Sequence, residues 1–217
     1  MHAQQGPNSG NGRGLEHVYW IGGGSGAGKS TTTRALAARY GARTYVTDEL
    51  MTEHQKRTNA IESPYLAKFM AMDMDERWMT RTPAEMLDTF HWYHGEGFGL
   101  IIDDLRAVPR DVPTIAEGFR LLPNLVEPLL TVRSHAVWLL PTPEFRLAAF
   151  ESRGSMWTIA GKTTDPERAL DNLLTRDHMF TERVRREARE LDLNVIEVDP
   201  SMSEEDLASA VAELFGW

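Results

Sequence analysis

Lys29 and Ser30 end the run Gly23, Gly24, Ser25, Gly26, Ala27, Gly28, with Thr31 directly behind, and together they fill the pattern G-x-x-x-x-G-K-[ST]. Glycines at 22, 23, 24, 26 and 28 can take positive φ, so successive N–H groups can turn inward as a cradle for an anion. A lysine ammonium at the mouth of such a cradle suits β- and γ-phosphates, and the serine hydroxyl beside it suits Mg²⁺. Val18 to Ile21, just before, is apolar and ended by glycine, which predicts a buried strand. Ala35, Leu36, Ala38 and Tyr40 predict the buried side of a helix that Gly41 stops. Strand, glycine loop and helix in that order imply a nucleoside-triphosphate site, with the positive end of the helix aimed at the phosphates.

Carboxylates come next. Asp48 closes a second predicted strand, Arg43 to Asp48, and parallel strands in an open α/β sheet present ligands at their carboxyl ends. The bland alternative for Asp48 is a cap on the helix that begins at Glu49. Glu117 closes a short apolar strand and is followed by Gly118 and Arg120; it either faces the site or is a solvated strand end. Gly99 to Asp104 resembles the apolar strand ending in aspartate that holds Mg²⁺ in many ATPases. Leu87, Phe90, His94, Phe98, Ile101, Leu105 and Val108 nevertheless recur at helical spacing, interrupted only by Gly95, Gly97 and Gly99. That period predicts a helix end, with Asp103 and Asp104 in solvent.

The elements that would position these groups alternate along the chain. Residues 49–57 form a polar helix, and the methionine-rich stretch from Phe69 to Met79 is core or a flexible cover over a substrate. Thr82, Pro83 and Glu85 make a capping box, and Ser203 with Asp206 caps the last helix. Further strands are predicted at 113–120, 135–140 and 194–199. Helices are predicted at 123–130, from 142 to 153, from 165 to about 191, and after 203. Residues 154–165 lack any period and are predicted as a mobile loop. Strands separated by helices throughout imply a parallel sheet covered on both faces.

Composition narrows the class. A chain of 217 residues, 41% hydrophobic, is expected to form one domain, at 15–217, behind a disordered polar tail at 1–14. No run approaches 18 apolar residues, so no membrane span is expected. The absence of cysteine excludes disulfides and thiolate metal sites and fits a cytoplasmic enzyme. A net charge of −9 argues against broad nucleic-acid binding.

On the phosphate loop after the first strand, five strands in all and arginines after the fourth, the chain resembles the P-loop nucleoside and nucleotide kinase superfamily. The resemblance implies a three-layer P-loop fold with sheet order 2-3-1-4-5, an acceptor-binding segment at about 49–82, and an arginine-bearing lid at about 150–180. It implies ATP, with GTP also possible, together with Mg²⁺ and a small-molecule acceptor, in a monomer or homodimer. By position, Asp48 becomes the general base or acceptor-orienting group. Glu117 becomes a water-mediated magnesium ligand or an acceptor contact, and Arg120 either grips the acceptor or pairs with a carboxylate. Arg146, Arg153 and Arg176 match lid positions that hold the transferring phosphoryl group, while residues 199–202 would wall the base pocket. No pattern of the adenylate or guanylate kinase acceptor helices follows strand two, which favours a hydroxylated metabolite, nucleoside or antibiotic, as in chloramphenicol phosphotransferase-like kinases. His91, Trp92, Tyr93 and His94 are expected as acceptor contacts or as core. A nucleoside monophosphate kinase would need Arg57, Arg77 and Arg81 around a phosphate pocket. A regulatory ATPase would need Asp103 or Asp104 on a strand beside the loop.

Overall fold

The structure is a computed structural model describing residues 12–153 and 155–217, with backbone alone at 147, 150–153 and 155–157. Residues 1–11 of the expected tail lie outside the described residues. Residues 12–15 form a turn in which Leu15 N–H donates to Gly12 O at 3.1 Å, and it leads into the first strand.

Five parallel strands, β1 (Val18–Gly23), β2 (Arg43–Val46), β3 (Thr114–Glu117), β4 (Ala136–Pro141) and β5 (Asn194–Val198), form one sheet in the order β2-β3-β1-β4-β5. Its helices are α1 (Lys29–Tyr40), α2 (Met51–Lys56), α3 (Pro64–Ala71), α4 (Pro83–Thr89), α5 (Phe98–Ala107), α6 (Pro123–Val126), α7 (Pro143–Arg153), α8 (Ser155–Ala160), α9 (Pro166–Glu190) and α10 (Glu204–Phe215).

The layers follow from alternation along buried strands. On β4, Ala136, Trp138 and Leu140 pack into one core with Ile101 and Leu105 of α5 and Phe180 and Val184 of α9. Val137 and Leu139 point the other way, meeting Leu36 of α1 and Leu207, Val211 and Phe215 of α10. Each fully buried leucine contributes roughly 2 kcal/mol from apolar surface removed from water. The caps read from sequence are formed: Thr82 with Glu85 starts α4, and Ser203 with Asp206 starts α10.

Three expectations are corrected. The helical period from 82 to 108 is broken into α4, a 3₁₀ turn at His91–His94, and α5, because Gly95 and Gly97 sit at positive φ (77° and 74°), outside the right-handed helical region. Asp104 is not a solvated helix end; its carboxylate is held by three side chains from β2 and the α2 region. Residues 155–160 form α8, not a loop, and Thr164 behind it clasps Asp75: its N–H and hydroxyl donate to the carboxylate at 2.7 and 2.6 Å. The methionine-rich segment is ordered too, as a π-helical turn (Glu76–Thr80) with Trp78 buried. No helix among the described residues is long and apolar enough to cross a membrane.

Candidate active site

The register of the sheet brings the two carboxylates together. Glu117 is the residue of β3 opposite both Ile21 of β1 and Val46 of β2. One step further on each flank lie the glycine loop and Thr47-Asp48, and Thr47 N–H donates to Glu117 O at 2.9 Å. Gly118 permits the approach: at φ 146°, with its α-carbon against the Thr47 hydroxyl, any side chain would overlap that group.

Of the loop glycines, Gly23, Gly26 and Gly28 take positive φ, whereas Gly22 and Gly24 do not. The Lys29 ammonium, 7% exposed, donates to Gly24 O at 2.8 Å and so closes the loop on itself. The Ser30 hydroxyl donates to Glu117 Oε1 at 2.7 Å. Glu117 is 1% exposed; burial raises its pKa against the pull of Lys29 and the Ser30 bond. Asp48 presents its surface to the cleft, yet the protein around it still raises its pKa, with Lys29 and the Thr47 hydroxyl opposing. A hydroxyl and two carboxylates at one strand edge are hard oxygen donors of the kind Mg²⁺ takes, commonly with only one or two from protein and the rest from phosphate and water. No cluster of three or more His, Cys, Asp or Glu side chains able to hold a metal ion occurs among the described residues.

All of these groups open onto one cavity of about 430 Å³. Residues 25–30, Asp48 and Glu117 form one end. Aromatic side chains form the other: Phe69, Trp78, Phe90, Trp92, Tyr93 and Phe119, with His91 among them. Arg176 and Asp177 of α9 complete the wall, paired at 2.6 and 3.0 Å through Asp177 Oδ1. The Arg176 guanidinium lies 5.1–5.8 Å from the rings of Phe90, Trp78 and Tyr93. Burial works against its charge, but the charge and hydrogen bond of Asp177, with the phenol group of Tyr93, outweigh burial and raise its pKa. A second cavity, about 350 Å³, lies behind the loop between Gly26, Gly28, Thr31 and Thr32, Phe145 of α7, and Pro200, Met202 and Leu207. This is where the segment after β5 was expected to wall a base pocket.

The remaining arginines are placed differently. Arg120, 2% exposed, lies outside the described lining of the cavity; it donates to Thr47 O at 3.3 Å, to His54 Nδ1 at 2.9 Å and to Gly97 O at 3.2 Å, and stacks 4.0 Å over Trp92. It therefore braces the wall from behind, and burial pushes its pKa down to about 10. Arg146, also buried, donates to the Thr181 hydroxyl at 2.8 Å. Arg153 closes α7, and its side chain lies outside the described residues. Arg57 pairs with Asp104, and Arg77 and Arg81 are engaged by backbone carbonyls and Thr89. None of these three is among the residues lining the cavity.

Sequence reading missed Asp177 as a cavity residue and His54 as a brace; Phe69 and Trp78 of the cavity wall belong to the stretch read as core or as a cover over a substrate. The signal for the aromatic wall was the density of rings between 69 and 93. His54 gave none, because its partners lie 50 and 66 residues away.

No family model and no curated protein matches the chain. Among solved structures, a shikimate kinase from Acinetobacter baumannii in complex with shikimate is similar at a TM-score of 0.44 and 19% identity, over 91% of this chain and 90% of that chain. The three-layer P-loop arrangement described above rests on this chain's own strand order, register and glycine loop.

Proposed function

We propose that the chain is a phosphotransferase that moves the γ-phosphoryl group of ATP, or GTP, to a hydroxyl of a small molecule. One observation carries this reading: the phosphate loop, Asp48 and an aromatic wall share a single cavity, so donor and acceptor would meet inside it. The base would occupy the second cavity, leaving the triphosphate along residues 23–31. Lys29 would exchange its bond to Gly24 O for phosphate oxygens. Ser30 and Glu117 would hold Mg²⁺, which neutralises charge on the phosphates and orients them. Asp48 would orient the acceptor hydroxyl and accept its proton, and its raised pKa suits that exchange. Arg176, with Arg153 from α7, would screen charge on the transferring group. The enzyme would act in the cytoplasm as a monomer or homodimer, without nucleic acid or membrane.

The nucleoside monophosphate reading loses support because Arg57, Arg77 and Arg81 are engaged away from the cavity. The regulatory ATPase reading loses its metal aspartate because Asp104 belongs to α5. The test is acceptor-dependent ADP release across metabolites, nucleosides, nucleotides and antibiotics, with Lys29→Met as control. Release that rises with a particular hydroxylated compound, and is absent in the control, supports the reading. Hydrolysis indifferent to every acceptor overturns it.

A further inference from the structure

His91 is 1% exposed, and neither ring nitrogen has a hydrogen-bond partner among the described residues. Buried polar atoms without partners are uncommon, and each leaves a desolvation cost that a ligand can relieve. The ring forms part of the cavity wall, packed against Phe69, Phe90 and Trp92 at centroid distances of 5.0, 4.8 and 4.3 Å. Burial drives its pKa down to about 3, so it stands as a neutral imidazole with one donor and one acceptor. Arg176 Nη1, whose guanidinium lies 5.1 Å from the Phe90 ring centroid, is also buried and without a hydrogen-bond partner.

Charge sets what can enter. Among the described lining residues, Asp48, Glu117 and Asp177 outnumber Lys29 and Arg176, and Arg176 is tied to Asp177. A second anion brought beside bound triphosphate would meet, among the described lining residues at the aromatic end, only Arg176, whose charge Asp177 already offsets.

We propose that the acceptor is an uncharged, ring-bearing alcohol whose ring lies among Phe69, Trp78, Phe90 and Phe119 and whose polar substituent is hydrogen-bonded by His91. The proposal deepens the phosphotransferase reading and rests on it only for which hydroxyl is modified. Binding itself is read without nucleotide, through the fluorescence of Trp78 and Trp92 in the cavity wall.

Three probes separate the elements: 4-(hydroxymethyl)benzamide, its charged twin 4-(hydroxymethyl)benzoate, and benzyl alcohol, which lacks the polar substituent. With the whole chain, the amide is expected to give a saturable change at roughly tenfold lower concentration than either other probe. In His91→Phe the advantage of the amide over benzyl alcohol disappears, while His91→Gln, which keeps a donor and an acceptor, retains part of it. Thermal melts of both variants establish folding; if His91→Phe does not fold, the His91→Gln ratio decides, and an unchanged preference in it is replaced by the comparison with His91→Leu. Tighter binding of the benzoate, a preference for the amide that survives loss of the imidazole, or no saturable change with any probe overturns the proposal. Amide binding without phosphoryl transfer to any acceptor would uphold this site and sink the kinase reading. Transfer only to charged acceptors would do the reverse.

Discussion

Arg120 donates through Nη1 to Nδ1 of His54 at 2.9 Å. A guanidinium has no lone pair to offer, so Nδ1 must be the acceptor and the ring proton must sit on Nε2, where it meets Asp104 Oδ2 at 2.8 Å. Asp104 also receives the Tyr45 hydroxyl at 2.9 Å and Arg57 at 2.7 Å. A single tautomer thus links α5, β2 and α2 to the backbone of Thr47, the neighbour of Asp48.

A second proton on His54 would set donor against donor at Arg120. Burial, the largest influence, lowers its pKa, with Asp104 opposing and Arg120 reinforcing. His17, His91 and His135 are lowered in the same way. The unfolded chain therefore binds more protons just below the ordinary histidine value of about 6.5, so stability is full above that pH and falls as pH drops through the window beneath it. Urea midpoints are expected to decline from pH 7.5 to 5.5, with a shallower decline in His54→Gln. Equal slopes for both proteins would contradict the tautomer assignment.

Gly118→Ala is expected to destabilise the fold by about 3 kcal/mol, because a β-carbon would overlap the Thr47 hydroxyl at a positive φ. The same change should reduce phosphoryl transfer in whatever protein remains folded, since Thr47 and Asp48 must move. A melting temperature unchanged by this substitution would mean that β3 ends differently.

Much of this site was legible because its signals are contiguous. The phosphate loop occupies eight successive residues, and Asp48 and Glu117 each end a predicted strand, so the rule that parallel strands present ligands at their carboxyl ends pointed both at one edge, with a helix cap and a solvated strand end as their alternatives. Arg120 and Arg146 could not be told from Arg176 by the same means. All three are buried arginines whose surroundings are set by residues far away in the chain: His54 for the first, Thr181 for the second, and the rings of Trp78, Phe90 and Tyr93 for the third, which also pairs with its neighbour Asp177. The break at Gly95 and Gly97 was visible as composition, but the helical spacing through it masked the two left-handed residues that end one element and start the next. Residues 155–160 form a helix because they pack on α9, a tertiary cause that the local sequence lacks.

Asp48→Asn should lower transfer by on the order of 10²-fold or more while leaving triphosphate binding intact. Single-turnover transfer and calorimetric titration with ATP separate the two. Retained transfer would assign the proton to another group.

Ser30→Ala should raise the Mg²⁺ concentration needed for half-maximal ADP release by roughly tenfold. Glu117→Gln, which can still accept from Ser30, should show the same direction. A magnesium dependence identical to that of the unaltered chain in both variants would remove them from the metal site.

Arg176 and Asp177 are both buried, with side-chain exposures of 8% and 3%. Asp177→Ala should cost about 3 kcal/mol by leaving a buried guanidinium uncompensated. Arg176→Met combined with Asp177→Leu should recover much of that stability without recovering transfer. Recovery of both would reduce the pair to packing.

The bridge between Asp75 and Thr164 is built from exposed groups for which water competes, whereas the sheet beneath it is sealed by tryptophan and leucine. That clasp can therefore come apart while the foundations stay dry, and the Thr164 amide should trade its hydrogen for deuterium long before that of Ile21.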